Sequence, residues 1–265
     1  MGAYTALFRA RFRTLLQYRA AALAGFGTQL FWGLIRVMIM EAFYRQTTAA
    51  QPMTLPQVIT YIWLGQTFFM LLPFSSNPDP EVRAMIRSGA VAYELARPLD
   101  LYWLWYSRAL AARTAPTLLR VVPMFLVAVP FLGMGLPPNL AAFGAFALAL
   151  MGAVLLTAAF SALITITLVW TVSGDGIARM APSLVLLGSG MIVPLALLPE
   201  WAQAILYYLP FRGMVDAPFR LYMGHIPPTG VWEVVTHQAI WSVLIILAGH
   251  RMLFGGLRRL VVQGG

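Results

Sequence analysis

The 265-residue sequence contains no cysteine and no lysine, and only nine acidic residues against eighteen arginines. Without cysteine there is no disulfide, no thiolate metal site and no thiol chemistry. Without lysine there is no P-loop, whose lysine reaches the nucleotide phosphates, so the chain is not its own ATPase by that route. Three histidines, His225, His237 and His250, lack the spacing of a metalloprotease helix. The stretch Asp175-Gly176-Ile177-Ala178-Arg179 resembles the opening of a CDP-alcohol phosphotransferase motif. It is one residue short, and the next acid is Glu200. A metal pair needs several carboxylates at close quarters, so that chemistry is rejected. A Ser/His/Asp site is not excluded by spacing, but nothing points to one. Charge is also scarce, at 10% of residues against the ~25% of soluble domains. The N-terminus is not expected to be a cleavable signal, because Arg9, Arg11, Arg13 and Arg19 interrupt it.

What remains is apolar. Hydrophobic residues make up 60% of the chain and mean hydropathy is +0.76, which reads as an all-α integral membrane protein. The net charge of +9 could point to nucleic acid. The arginines, however, flank apolar runs, as the positive-inside rule requires, and no nucleic-acid partner is expected.

Residues 1–20 read as an interfacial amphipathic helix, and residues 21–265 as one transmembrane domain with six spans. The spans are placed roughly at 21–43, 57–74, 101–135 (with an aromatic, basic lead-in to Arg120), 139–172, 177–198 and 231–254. The fifth carries Pro182, Gly188, Gly190 and Pro194, so it should be kinked or broken. Residues 199–230 alternate short apolar pieces with prolines, and re-entrant half-helices protected by other protein fit them. Arginine is concentrated on the side that holds both termini, which would place them in the cytoplasm. No strong internal repeat is visible, which weighs against an inverted-repeat secondary transporter.

The longest polar interruption that still looks folded runs from Asp79 to Asp100. Asp79 can cap a helix, Pro80 suits its first turn, Glu81 meets the positive end of the dipole and Gly89 can end it. Val82, Met85 and Ile86 share one face, and Arg83 and Arg87 sit four apart with no acid well placed for both. Such a helix, near 79–89, is either a docking element or a loop helix resting on anionic lipid headgroups.

Arg36 lies inside the first span, and a charge there is a functional candidate by default. Snorkelling to the outer headgroups, or pairing with a carboxylate, is the favoured expectation over cargo contact. Arg120 has the mirror-image inner explanation. Gln29, Gln66, Ser183 and Ser189 are mild polar points that either line a pathway or join helices.

These features resemble the type-2 ABC transporter permease family, in its branch of six-span bacterial exporters. The most specific part is Ile86-Arg87-Ser88-Gly89 followed by Leu95-Ala96-Arg97-Pro98-Leu99. The basic N-terminal elbow, the broken fifth span and Leu209-Pro210-Phe211 with Pro218 and Gly224 add to it. The resemblance implies a coupling helix that presses on a separate ATPase, with Glu81, Val82, Arg83, Met85, Ile86 and Arg87 as contacts. It also implies an outer gate around Pro210, Phe211, Arg212 and Gly213. ATP and Mg would be bound by the partner ATPase, present in two copies, with no cofactor in this chain. A second permease, the same or related, would complete the pathway in a bacterial inner membrane, among its lipids. The cargo would be hydrophobic or amphipathic: a drug, a dye or a lipid-like compound. The rival reading is an ATP-independent channel, scramblase or secondary carrier. A membrane enzyme stands third, because no polar catalytic cluster is visible.

Overall fold

In the computed structural model, which describes residues 2–73, 79–170 and 175–257, all regular structure among the described residues is helical. The first helix, α1 (Ala3–Leu16), ends at Gln17, and α2 (Arg19–Gln46) follows after one more residue. Then come α3 (Leu55–Phe68), α4 (Pro80–Ser88), α5 (Val91–Leu95), α6 (Leu101–Phe131), α7 (Leu140–Trp170) and α8 (Asp175–Gly188). Two short helices, α9 (Glu200–Tyr208) and α10 (Asp216–Tyr222), precede the last, α11 (Val231–Leu257).

Four segments are long and apolar enough to cross a bilayer: Ala20–Gln46, Leu101–Phe131, Leu140–Trp170 and Pro228–Leu257. The other two expected spans are shorter. α3 and α8 have 14 residues each, or about 21 Å at helical rise. A 3₁₀ turn, Phe69–Leu71, extends α3. α8 stops at Gly188, short of the expected end at residue 198, because Gly190 takes φ +84° and Pro194 follows. Of the inner turn expected at 173–176, residues 173–174 lie outside the described residues and Asp175 and Gly176 open α8; residues 77–78, Arg258 and Arg259 also lie outside them.

α3 and α7 form the centre. α3 starts with a capping box between Thr54 and Gln57 and buries Val58 and every residue from Thr60 to Phe68. It packs on α2 and α6; the Phe68 ring meets Phe146 of α7, and Tyr61 meets Phe219 of α10. α7 packs most extensively on α11. Small residues permit the approach: a β-carbon on Gly152 would fall 2.0 Å from Gln238 Oε1. The Gln238 side-chain amide donates to the carbonyls of Ala149 and Gly213, both at 2.8 Å.

α6 is one helix of 31 residues and not a lead-in followed by a span, despite Pro116, Pro123 and Pro130 inside it. Neighbouring helices hold it, and the Thr114 and Thr117 hydroxyls bond back to the carbonyls of Leu110 and Arg113 around the first proline. The expected half-helices at 199–230 are present but differ in protection. α10 is buried almost throughout. α9 has no buried residue and exposes Trp201, Ile205 and Tyr208.

Candidate functional site

At one end of the bundle α4 is built as local chemistry dictates. Asp79 Oδ1 accepts from the backbone of Glu81 at 2.9 Å and of Val82 at 3.4 Å, and Gly89 closes the helix at φ +75°. Its apolar stripe faces inward. Val82 is 1% exposed, and Met85 and Ile86 pack against the core. Val82 therefore has no surface to offer a partner here, because the bundle itself satisfies the stripe that the sequence left open. Ala84, Arg87 and Ser88 are exposed, and Arg83 is half-buried.

Glu81 is also engaged within the chain. Its carboxylate accepts from Arg11 of α1, and from Arg108 of α6 at 2.9 Å. Arg108 lies 3.7 Å from Glu94 of α5, which accepts from Trp105 Nε1 at 2.9 Å. α1 lies along α6, and the Tyr4 hydroxyl accepts from the Asp100 backbone at 2.8 Å. The α1, α4, α5 and α6 elements are thus tied together by one ionic knot.

The larger candidate site is a groove of about 630 Å³ between α2, the α3 end and the broken end of α8. Gln29 and Arg36 of α2 and Gln66 of α3 all line it, three of the five polar candidates. Trp32, Ile39 and Met40 supply one apolar wall; Phe69, Ile192 and Val193 supply others. Ser189 is buried behind this surface, its Oγ accepting from the Met191 backbone at 3.4 Å. Ser183 sits on the exposed side of α8 and does not line the groove.

Arg36 pairs with no carboxylate among the described residues. Its Nη2 donates to the carbonyls of Met191 and Ile192, each at 2.6 Å. The break after Gly188 leaves those carbonyls outside any helix, and they are the acceptors within reach. Arg120 likewise stays inside at 9% exposure, with its guanidinium lying over Gly25, where a β-carbon would fall 2.0 Å from Nη2.

Asp216 had no role in the sequence reading. It is 1% exposed and accepts from the Tyr61 hydroxyl at 3.2 Å and the Leu195 backbone at 3.3 Å, with Arg220 at 3.9 Å. An acid amid apolar residues was the available signal. It ties α10 to α3 and to the segment following α8.

The residues expected at an outer gate form a 3₁₀ turn, Pro210–Met214. Phe211 packs against Gly188 and Phe160. Arg212 stacks over the Tyr207 ring at 4.1 Å and lies 3.8 Å from Glu233. Gly213 supplies the carbonyl that Gln238 holds. The turn is therefore wedged between the end of α8, α7 and α11. Among the described residues no group of His, Asp and Glu could hold a metal ion.

No curated protein matches the chain. A family model described as ABC-2 family transporter protein matches residues 30–264, a stretch that takes in the groove apart from Thr28 and Gln29, together with α4 and the 3₁₀ turn at Pro210. With its long apolar helices and that match over most of its length, this chain belongs to the ABC-2 family of transporter proteins, as a multi-pass membrane permease.

Proposed function

We propose that the chain is the pathway-forming subunit of an ATP-binding-cassette exporter for hydrophobic or amphipathic molecules. A separate ATPase, which binds ATP and Mg, drives it, and a second permease completes the pathway. In this reading α3 and α8 complete six crossings with their non-helical extensions, both termini lie in the cytoplasm, and the membrane is a bacterial inner membrane.

The observation that carries the reading is α4. It is capped at both ends, holds its apolar stripe against its own bundle and leaves Arg87 and Ser88 exposed. A helix anchored in this way can transmit a push from a soluble partner to α1, α6 and α7, which a helix resting loosely on lipid would not do. The Pro210–Met214 turn serves as the outer gate in this scheme.

The test is gentle purification of the full chain from its host, with mass spectrometry of what accompanies it. A stoichiometric P-loop ATPase is expected, and the paired substitution Arg83→Glu with Arg87→Glu should abolish its association while membrane insertion persists. Normal association of that variant would overturn α4 as the docking element. Recovery of the intact chain alone across several detergents would favour an ATP-independent carrier.

A further inference from the structure

The groove beside the broken end of α8 has a chemical preference of its own. Among the described residues its polar lining consists of one cation, Arg36, with the uncharged groups of Thr28, Gln29 and Gln66, and no acid. The rest is apolar, and Trp32 and Ile39 are 54% and 57% exposed on the open side. Its volume of about 630 Å³ lies within the ~300–1,000 Å³ of small-molecule sites.

We infer that this groove binds an amphipathic anion, with its head on Arg36 and its tail along Trp32, Ile39 and Phe69. The two bonds from Arg36 to Met191 and Ile192 both come from Nη2. A guanidinium carries five N–H donors, so Nη1 and Nε are left to meet a carboxylate or phosphate. Gln29 and Gln66, buried at 7% and 3% exposure, line the same groove with amide groups that can donate to a polar part of the bound molecule. Carbonyl dipoles hold the cation in place without neutralising it as a carboxylate would. A cationic head would face Arg36 directly, and a wholly apolar molecule would leave these polar groups without a partner. That the bound molecule is cargo rests on the proposed function; that it binds does not.

The experiment uses the full chain, without any ATPase, in phosphatidylcholine nanodiscs, with empty nanodiscs as the blank. The probes are 11-(dansylamino)undecanoic acid and its methyl ester, which share a tail and differ in charge. Saturable binding of the acid is expected, with the ester about tenfold or more weaker. Arg36→Gln should weaken the acid by about tenfold to a hundredfold, the range for a charge-assisted hydrogen bond, and leave the ester unchanged. Arg45→Gln, on the exposed end of the same helix, should change neither. Trp32→Ala should weaken both probes.

If Arg36→Gln does not fold, Arg36→Lys decides, since it keeps the cation and should keep the preference for acid over ester. Equal binding of acid and ester to the wild-type chain overturns the inference, as does an equal loss in the Arg36 and Arg45 variants. Phosphatidylglycerol, added to the nanodiscs, distinguishes the two sources of such a head. Displacement of the probe assigns the site to a bilayer lipid, and retention assigns it to a separate amphiphile; both outcomes support the anion site. Because no ATPase is present, failure here leaves the docking reading standing, and failure of ATPase copurification leaves this site standing.

Discussion

The Phe211 ring occupies the space that a side chain on Gly188 would need: a β-carbon there would stand 2.7 Å from Phe211 Cδ2. The end of α8 and the 3₁₀ turn at Pro210 therefore fit each other only while position 188 lacks a side chain. Gly188→Ala should destabilise the chain by about 1–3 kcal/mol, the usual cost of overpacking. In a Phe211→Ala background the same change should be nearly neutral. A double-mutant cycle on thermal unfolding in detergent checks this, and additive effects would mean that the two positions are not coupled.

Gln238 joins α11 to α7 and to the 3₁₀ turn with one side-chain amide. Gln238→Leu should cost about 0.6–2 kcal/mol, the range for polar links between membrane helices. Gly152→Ala should do comparable harm by pushing the amide away, since the clash is with its oxygen. Denaturation in a mixed-micelle titration measures both, and no loss in either variant would assign the contact to packing alone.

Asp216 serves two donors and faces Arg220 inside the protein, with Arg212 further off. Asp216→Asn keeps an acceptor for Tyr61 and Leu195, and should be mild. Asp216→Leu strands both donors and should cost several kcal/mol more, at about 1–3 kcal/mol for each buried group left unpaired. The ranking of the two variants in thermal unfolding is the readout. The opposite order would show that the buried charge itself dominates.

The lack of cysteine makes topology directly measurable, because any introduced thiol is the sole label. Thr48→Cys, in the loop between α2 and α3, should react with an impermeant maleimide from outside intact cells. Ser88→Cys on α4 should react only after lysis; both positions are exposed. Labelling of both from the same side would break the proposed orientation.

Glu81 has a side chain 50% exposed, so its ion pairs contribute little to stability, about 0–1 kcal/mol. Glu81→Gln should leave the unfolding temperature nearly unchanged and yet loosen α1. Faster hydrogen exchange across residues 3–16, with α7 unaffected, is the expected signature.

The parts legible in the sequence were those set by neighbours in the chain. Asp79, Pro80 and Gly89 specify α4 by capping alone, and Gly188 with Gly190 marks a break that needs no tertiary information. Two of the long helices lie close to their hydropathy limits, with α7 at 140–170 and α11 at 231–257. What was hidden depends on distant partners. Hydropathy runs through residue 74, so the early end of the α3 helix at Phe68 left no trace. The aromatic, basic stretch to Arg120 read as a lead-in because nothing local reports the packing that makes it part of one continuous α6. The partner of Arg36 is a pair of backbone carbonyls some 155 residues away, created by the α8 break, and a side-chain pairing rule cannot find it. Gln29, Arg36 and Gln66 were each visible as polar points in apolar runs; their meeting in one groove required the fold.

α3 is enclosed from Thr60 to Phe68, while α2, which packs on it, and α8, which packs on α7, carry long stretches of exposed apolar surface. A helix so enclosed cannot tilt without repacking the centre of the molecule, whereas the outward faces of α2 and α8 bury little. In the proposed transport cycle α3 would then be an axle and α2 and α8 the moving leaves, with the Arg36 bonds to Met191 and Ile192 as the catch between them. Spin labels on α3 and α7 would hold a constant distance through a transport cycle, and labels on α2 and α8 would separate each time the catch opened.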